Sequence, residues 1–273
     1  IVTCDPRDVM EGMPERIEKI AGIAADPDVP GKFWGVVTGT LFSFTYDKEA
    51  ATFQVKQELS YGTEHYADEF NAWRPTSVVI KDGYIFTNLS TSGTDNIKQY
   101  LMISKDDPSY HFPLVEIDRG FVLGNDNNVY SVIFKDEGIM NQGIRMHKTA
   151  DRIAEIKANK VAKDAAEEKI NAIGEVTLDS KNAIDAARAA YDALAEEVKA
   201  LVDPSVLVAA EAKNAELKAA ADQAAAEKAA ADKAAADAVI SKIDAIGTVS
   251  LESEEAIKAA RAAYDALTVD QKA

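Results

Sequence analysis

The sequence predicts a chain of two kinds: an antiparallel all-β part first, then α-helical bundle repeats joined by a long helix, an α+β multidomain arrangement. Three observations carry this. Composition breaks near His147, with all nine Phe, both Trp and all five Met before residue 148 and only two Gly and one Pro after it. Residues 169–194, KINAIGEVTLDSKNAIDAARAAYDAL, return at 242–267 as KIDAIGTVSLESEEAIKAARAAYDAL, identical at 19 of 26 positions. Between the copies lies an Ala-rich segment with no Gly or Pro. A duplication of this kind fixes the architecture before any single element is read.

The N-terminal part opens with Ile1-Val-Thr-Cys4, which reads as the middle of a strand, so the chain is expected to be a segment of a longer protein. Asp5-Pro6 has the form of a helix start, and a short helix carrying Val9, Met10, Ile17 and Ile20 is expected, then a turn-rich loop to Gly31. Strand-like segments follow at 33–38, 41–46, 52–59, 77–80, 84–89, 99–104, 112–117, 121–123 and 129–134. Asp82-Gly83 and Gly124-Asn-Asp-Asn-Asn128 are hairpin turns. Short strands at this spacing predict a sandwich, a barrel or propeller blades.

From about residue 141 the pattern turns helical, with Ile144, Ile153, Ile156, Val161 and Ile170 punctuating an Ala, Lys and Glu-rich run. In each duplicated copy Gly174 or Gly247 stops one helix, and Asp179-Ser180 or Glu252-Ser253 supplies oxygens for the start of the next. Ile184, Ala187, Tyr191 and Leu194 share one face of that helix, as do Ile257, Ala260, Tyr264 and Leu267. Thr268-Val-Asp-Gln271 has capping-box spacing and predicts a further helix; the first copy reads Ala195-Glu-Glu-Val198 there and lacks the capping residue. Asp203-Pro204 opens a helix that runs uninterrupted to Ile246. Its stretch 219–238 repeats AAADQ-type blocks with period five, which leaves no fixed apolar stripe. Such a helix is a semi-rigid exposed spacer, unless its Ala faces pack on neighbours. The domains expected are 1–146, β-rich; 147–218, helical repeat 1; 219–238, spacer; and 239–273, helical repeat 2, truncated.

Two resemblances follow from these residues. Gly31-Lys-Phe-Trp-Gly-Val-Val-Thr-Gly-Thr-Leu-Phe-Ser-Phe-Thr-Tyr-Asp47 resembles the first two strands of a β-propeller blade. Asp82-Gly-Tyr-Ile-Phe-Thr-Asn88 with Tyr100-Leu-Met-Ile-Ser104 resembles another, and Gly120-Phe-Val-Leu-Gly with Asn128-Val-Tyr-Ser-Val-Ile part of a third. Two or three blades do not close a ring, so the resemblance implies further blades upstream. The motif Ile-x-Ala-Ile-Gly, Val-Thr/Ser-Leu, Ala-Ile-x-Ala-Ala-Arg-Ala-Ala-Tyr-Asp-Ala-Leu resembles the small helical repeats strung along secreted surface proteins of Gram-positive bacteria. There such repeats act as stalks beside propeller, carbohydrate-binding or catalytic modules.

The net charge of −16 excludes nucleic acid and anionic membrane surfaces as natural partners. No apolar run is long enough to span a membrane. Cys4, the only cysteine, excludes an internal disulfide framework. Trp34, Tyr66, Trp73 and Tyr110 are candidates for a sugar-stacking surface, with core or rim packing as the plainer reading. Glu64, His65, Asp68 and Glu69 lie in a polar loop and would be the metal or acid–base suspects; His111 near Asp107 is a weaker one. Asn125-Asp126-Asn127-Asn128 offers oxygens for Ca²⁺ but lacks the longer ligand series of a known loop. Arg188 with Asp192, and Arg261 with Asp265, mark a repeated spot where a solvated pair is the plainer reading. No catalytic residue, metal or cofactor is assigned.

The function expected is a non-enzymatic, monomeric protein of the cell wall or cell surface, a helical stalk displaying a β domain to an extracellular glycan or host surface. An accessory part of an extracellular carbohydrate-active enzyme, with Glu64, Asp68 and Glu69 as suspects, is the alternative. An intracellular helical scaffold is a third.

Overall fold

The computed structural model describes residues 20–37, 40–60, 77–88, 99–116, 121–134 and 141–272. The expected helix before residue 20, Cys4, and the 61–76 segment with Glu64, His65, Tyr66, Asp68, Glu69 and Trp73 lie outside the described residues. Antiparallel sheets occupy the N-terminal part and helices follow; no strand is found after His147 among the described residues. By packing, the chain divides into two units. One gathers the described residues up to Asp164 with Leu194–Leu201; the other is Ala165–Ala193 with Val202–Ala273. The division falls inside a helix, beyond the compositional break at 147.

In the first unit, β1 (Ile20–Ala25), β2 (Lys32–Val37), β3 (Thr40–Asp47) and β4 (Thr52–Ser60) form one four-stranded meander. A second comprises β5 (Val79–Lys81), β6 (Tyr84–Asn88), β7 (Gln99–Ser104) and β8 (His111–Glu116). The third sheet joins β9 (Phe121–Leu123), β10 (Val129–Phe134) and β11 (Asn141–His147). Every pairing is between sequence neighbours and antiparallel. Neither a closed barrel nor a closed propeller is found among the described residues.

Alternation along each strand sets which side chains meet. Trp34, Val36 and Leu41 of the first sheet pack with Ile85, Leu101 and Ile103 of the second in one buried cluster. The residues between them, such as Tyr100, point the other way, and the Tyr100 ring lies 4.6 Å from Phe121 of the third sheet. The middle sheet is therefore covered on both faces. Each of these large side chains contributes roughly 1.5–3 kcal/mol by burial.

Two strands depart from expectation. β1 lies where a helix end and loop are predicted, and β11 lies where a helix is predicted. β1 is poor in strand formers, and its extended form is held by its partner β2. β11 is likewise held along its length by β10.

Helix α1 (Ala150–Asn171) spans the division. Within the first unit its opening turns bury Ile153 and Ile156. In the second unit come a 3-10 turn at Leu178–Ser180, α2 (Lys181–Asp192), α4 (Ser205–Asp244), a 3-10 turn at Leu251–Ser253, α5 (Glu254–Asp265) and α6 (Val269–Lys272). The short α3 (Glu196–Lys199) belongs to the first unit. The two copies adopt the same local structure. α2 and α5 are each 12 residues, α3 and α6 each four.

Ser180 and Ser253 stand at the N-caps of α2 and α5 as expected, without a side-chain bond to the helix, and each copy has a further cap three residues earlier on its 3-10 turn. Thr177 and Ser250 are the extended N-cap residues, and Ser180 and Ser253 reach back to accept their backbone N–H at 2.9 and 3.0 Å. At Thr268 the expected box is present. Thr268 N donates to Gln271 Oε1 at 3.0 Å, and Gln271 N donates to Thr268 Oγ1 at 3.3 Å.

Gly174 and Gly247 take φ of +61° and +59°, with open space where a Cβ would stand. Only backbone strain opposes a side chain there. Gly174→Ala and Gly247→Ala are each expected to cost about 1 kcal/mol, read as a lower urea midpoint with unchanged helix content.

α4 is 40 residues, roughly 60 Å at the helical rise. Residues 222–231 are all exposed, so the middle of the expected spacer is solvated. Lys218–Asp222, Lys228–Asp232 and Lys233–Asp237 pair along it at 2.6–2.9 Å. The end of the spacer is not free: Asp232 accepts from Gln271 Nε2 at 2.8 Å, and Val239, just beyond it, is buried.

Candidate functional site

Of the four aromatic candidates, Tyr66 and Trp73 fall outside the described residues, and Trp34 and Tyr110 are interior. Trp34 is 1% exposed, and its indole N–H donates to Asp26 Oδ2 at 2.8 Å. Tyr110 is fully buried; its hydroxyl donates to the Ile156 carbonyl at 2.7 Å, and its ring meets Phe112 edge-on at 4.9 Å. Neither presents a ring face on which a sugar could stack. They occupy the core positions that were the plainer reading. Burial pushes the Tyr110 phenol above its ordinary range.

Among the described residues, Asp26 is the most densely bonded carboxylate of the first unit. Its turn supplies N–H groups from Asp28 and Val29 at 2.9 and 3.2 Å, and Lys105 Nζ reaches it at 2.8 Å from the loop after β7. Burial alone would raise its pKa. The bonds from Lys105, Trp34 and the Asp28 N–H outweigh that and hold it at about 2, against an ordinary 3.8. A depressed carboxylate stabilises the fold above its unfolded pKa, and that contribution disappears as pH falls through the folded value. Stability of the β sheets is therefore expected to drop between about pH 4 and pH 2, by on the order of 2 kcal/mol. Asp26→Asn should flatten this part of a urea-midpoint profile against pH.

The Asn-rich turn is also committed to the protein. Asp126 accepts from Asn128 N, Asn128 Nδ2 and the Tyr130 hydroxyl at 2.8–3.1 Å, bonds that lower its pKa. Lys81 Nζ bonds the Asn127 side chain at 2.6 Å and the Asn125 carbonyl at 3.1 Å. The Asn128 Oδ1 accepts from Thr149 N and Ala150 N, which caps the start of α1. These bonds tie the hairpin to the start of α1. His111 Nδ1 lies 2.9 Å from the Pro108 carbonyl, and Asp107 bonds Ser109 and Lys163. Among the described residues no group of three or more His, Cys, Asp or Glu gathers as metal ligands would, and no helix is long and apolar enough to cross a membrane.

The third sheet carries a surface the sequence reading passed over. Tyr130 pairs with both Val122 and Met146, and Val132 pairs with Ile144, so these five residues share one face. Val122, Ile144 and Met146 on that face are exposed. The readable signal was Ile144 and Met146 at period two within 141–147, a strand pattern.

In the helical unit, Arg188 does more than pair with Asp192 at 3.6 Å. Its Nε and Nη2 each donate to Glu211 across to α4 at 2.7 Å. That fork holds Glu211 below the ordinary carboxylate range. Arg261 has no such partner among the described residues.

No protein-family model, curated protein or solved structure matches the chain.

Proposed function

We propose that the chain is a non-enzymatic cell-surface protein in which a β unit binds and a helical unit sets distance. The observation that carries this is α4. A 40-residue helix with ten consecutive exposed residues, linking two copies of one small helical repeat, behaves as a spacer. Extracellular display, on the wall or surface of a Gram-positive bacterium, rests on the resemblance of the duplicated motif.

The β unit is read as propeller blades. Support comes from the successive antiparallel meanders and from the middle sheet being covered on both faces. The apolar outer face of the third sheet also fits, since an adjacent blade would lie there. The expected ligand is an extracellular glycan or host-surface molecule.

The test is a glycan and host-glycoprotein array probed with the full chain, with bound sugars then analysed for cleavage. Binding without turnover, unchanged when one further AAADK block is inserted after Ala231, supports a binding head on a spacer. Turnover of a bound glycan, abolished by Glu64→Gln, would establish the enzyme reading instead. Absence of binding to any surface molecule would remove the adhesive role.

A further inference from the structure

The duplication supplies its own template for the face that repeat 2 leaves exposed. In repeat 1, α2 is covered by the first turns of α4. Leu207 and Ala210 are buried there, as are Ile184 and Ala187 of α2. Glu211 forks onto Arg188, and Asn214 Nδ2 donates to the Thr177 carbonyl at 2.7 Å. The covering helix therefore presents Leu207, Ala210, Glu211 and Asn214 at i, i+3, i+4 and i+7, one face of a helix.

Moving every position by 73 residues gives repeat 2. Ile184, 4% exposed, becomes Ile257 at 41%; Ile170, 3% exposed, becomes Ile243 at 48%. Tyr264 is exposed too. Arg261, the counterpart of Arg188, has no ion pair among the described residues. The Ser250 carbonyl, the counterpart of Thr177's, accepts from Ser253 N but receives no side-chain donor among them. α6 does not supply these groups. It bonds the body of α4 instead, through Gln271 to Asp232 and Asp270 to Lys228. Among the described residues, an exposed apolar face, a guanidinium without an ion pair and a carbonyl without a side-chain donor thus stand where α4 supplies partners in repeat 1.

We propose that this face of repeat 2 is a docking site for one amphipathic helix bearing the Leu-x2-Ala-Glu-x2-Asn pattern, the opening helix of a further repeat of the same type. The commitment to that occupant comes from α4 itself. It covers repeat 1 with its first turns and builds repeat 2 with its last, so one helix serves two successive repeats. Among the described residues the only such helix is already engaged, so a second copy would have to open its own repeat 1 to donate it. The Arg261 guanidinium selects a carboxylate at the fifth position of the pattern, and the Ser250 carbonyl selects a side-chain amide about one turn on.

The probe is an N-acetylated peptide of residues 202–218 of this chain, added at up to about 1 mM to the full 273-residue protein. Hydrogen exchange is followed separately in α2 and α5. The expected result is at least roughly tenfold slower exchange of α5 amides with no change in α2. A peptide carrying Glu211→Arg should lose the effect on the native protein and regain it on Arg261→Glu. Undiminished protection by the Glu211→Arg peptide, no protection of α5 at all, or self-association of the protein through α5 in sedimentation would each overturn the proposal. None of these outcomes depends on where the protein resides or what its β unit binds, so the two readings fail separately.

Discussion

Trp34→Ala is expected to destabilise the first unit by about 3–5 kcal/mol, more than any other single change in the β sheets. The ring is almost wholly buried and sits in the cluster that joins the first two sheets, between Val36, Leu41, Ile85, Leu101 and Ile103. Removing it leaves a cavity shared by two sheets that cannot both collapse onto it. It also removes the indole donor from Asp26, whose side chain has no access to water. A buried carboxylate that loses a donor bears the desolvation of that lost bond in full. The two effects separate by substitution. Trp34→Phe keeps most of the volume and loses only the N–H, and should cost roughly 1–3 kcal/mol. It should also raise the Asp26 pKa, moving the acid-induced loss of stability towards higher pH. Urea unfolding followed by hydrogen exchange in β2, β3, β6 and β7 reads both. A Trp34→Ala protein within about 1 kcal/mol of the parent would mean that the two sheets do not share this core.

How far the fold could be read in advance depended on where the determining contacts lie. Nine strands were legible because each carries aromatic or β-branched residues between turn formers. Asp82-Gly83 reads as a hairpin since both residues take positive φ, +52° and +77°. β1 and β11 were not legible, because their identity comes from the strands beside them and not from their own residues. In the helices the duplication did the reading. The Gly stops, the paired helix lengths and the Thr268 box all follow from the sequence. Ser180 and Ser253 do stand at the N-caps of α2 and α5, but their hydroxyls bond back to Thr177 and Ser250 instead of to the helix, a reciprocal role that their positions alone do not reveal.

The site was less legible for a physical reason. Trp34 and Tyr110 have the same side chains whether they stack a sugar or fill a core. What decides is a partner: Asp26 eight residues away, Ile156 forty-six away. The first of these sits in a turn next to the strand and was within reach of the sequence. The second needs α1 to be in place. Arg188 shows the same limit, since its neighbour Asp192 is visible at i+4 while the stronger partner Glu211 is 23 residues on.

The two copies should respond differently to one substitution, and this is the sharpest use of the duplication. Ile184→Ala is expected to cost about 2–5 kcal/mol, and Ile257→Ala less than about 1. The helices are of equal length, begin with the same reciprocal Thr/Ser–Ser bonds, and share the sequence Ala-Ala-Arg-Ala-Ala-Tyr-Asp. The same Ile→Ala change therefore alters helix propensity alike in both, leaving packing as the main difference. Ile184 is buried where α4 lies over α2, so truncation leaves a cavity edged by residues tied down through Arg188–Glu211 and Asn214–Thr177. Ile257 already meets water, so truncation removes only part of its apolar contact and leaves no enclosed void. Hydrogen exchange resolved along α2 and α5 is the right measurement, because a chain of two units has no single unfolding free energy. Amides of α2 should lose protection by a factor of at least about 30 in Ile184→Ala, while those of α5 change by less than about fivefold in Ile257→Ala. Equal losses in the two copies would show that something already covers α5 in solution. With no other protein present that cover would be a second copy of the chain, which counts against an open docking face on repeat 2.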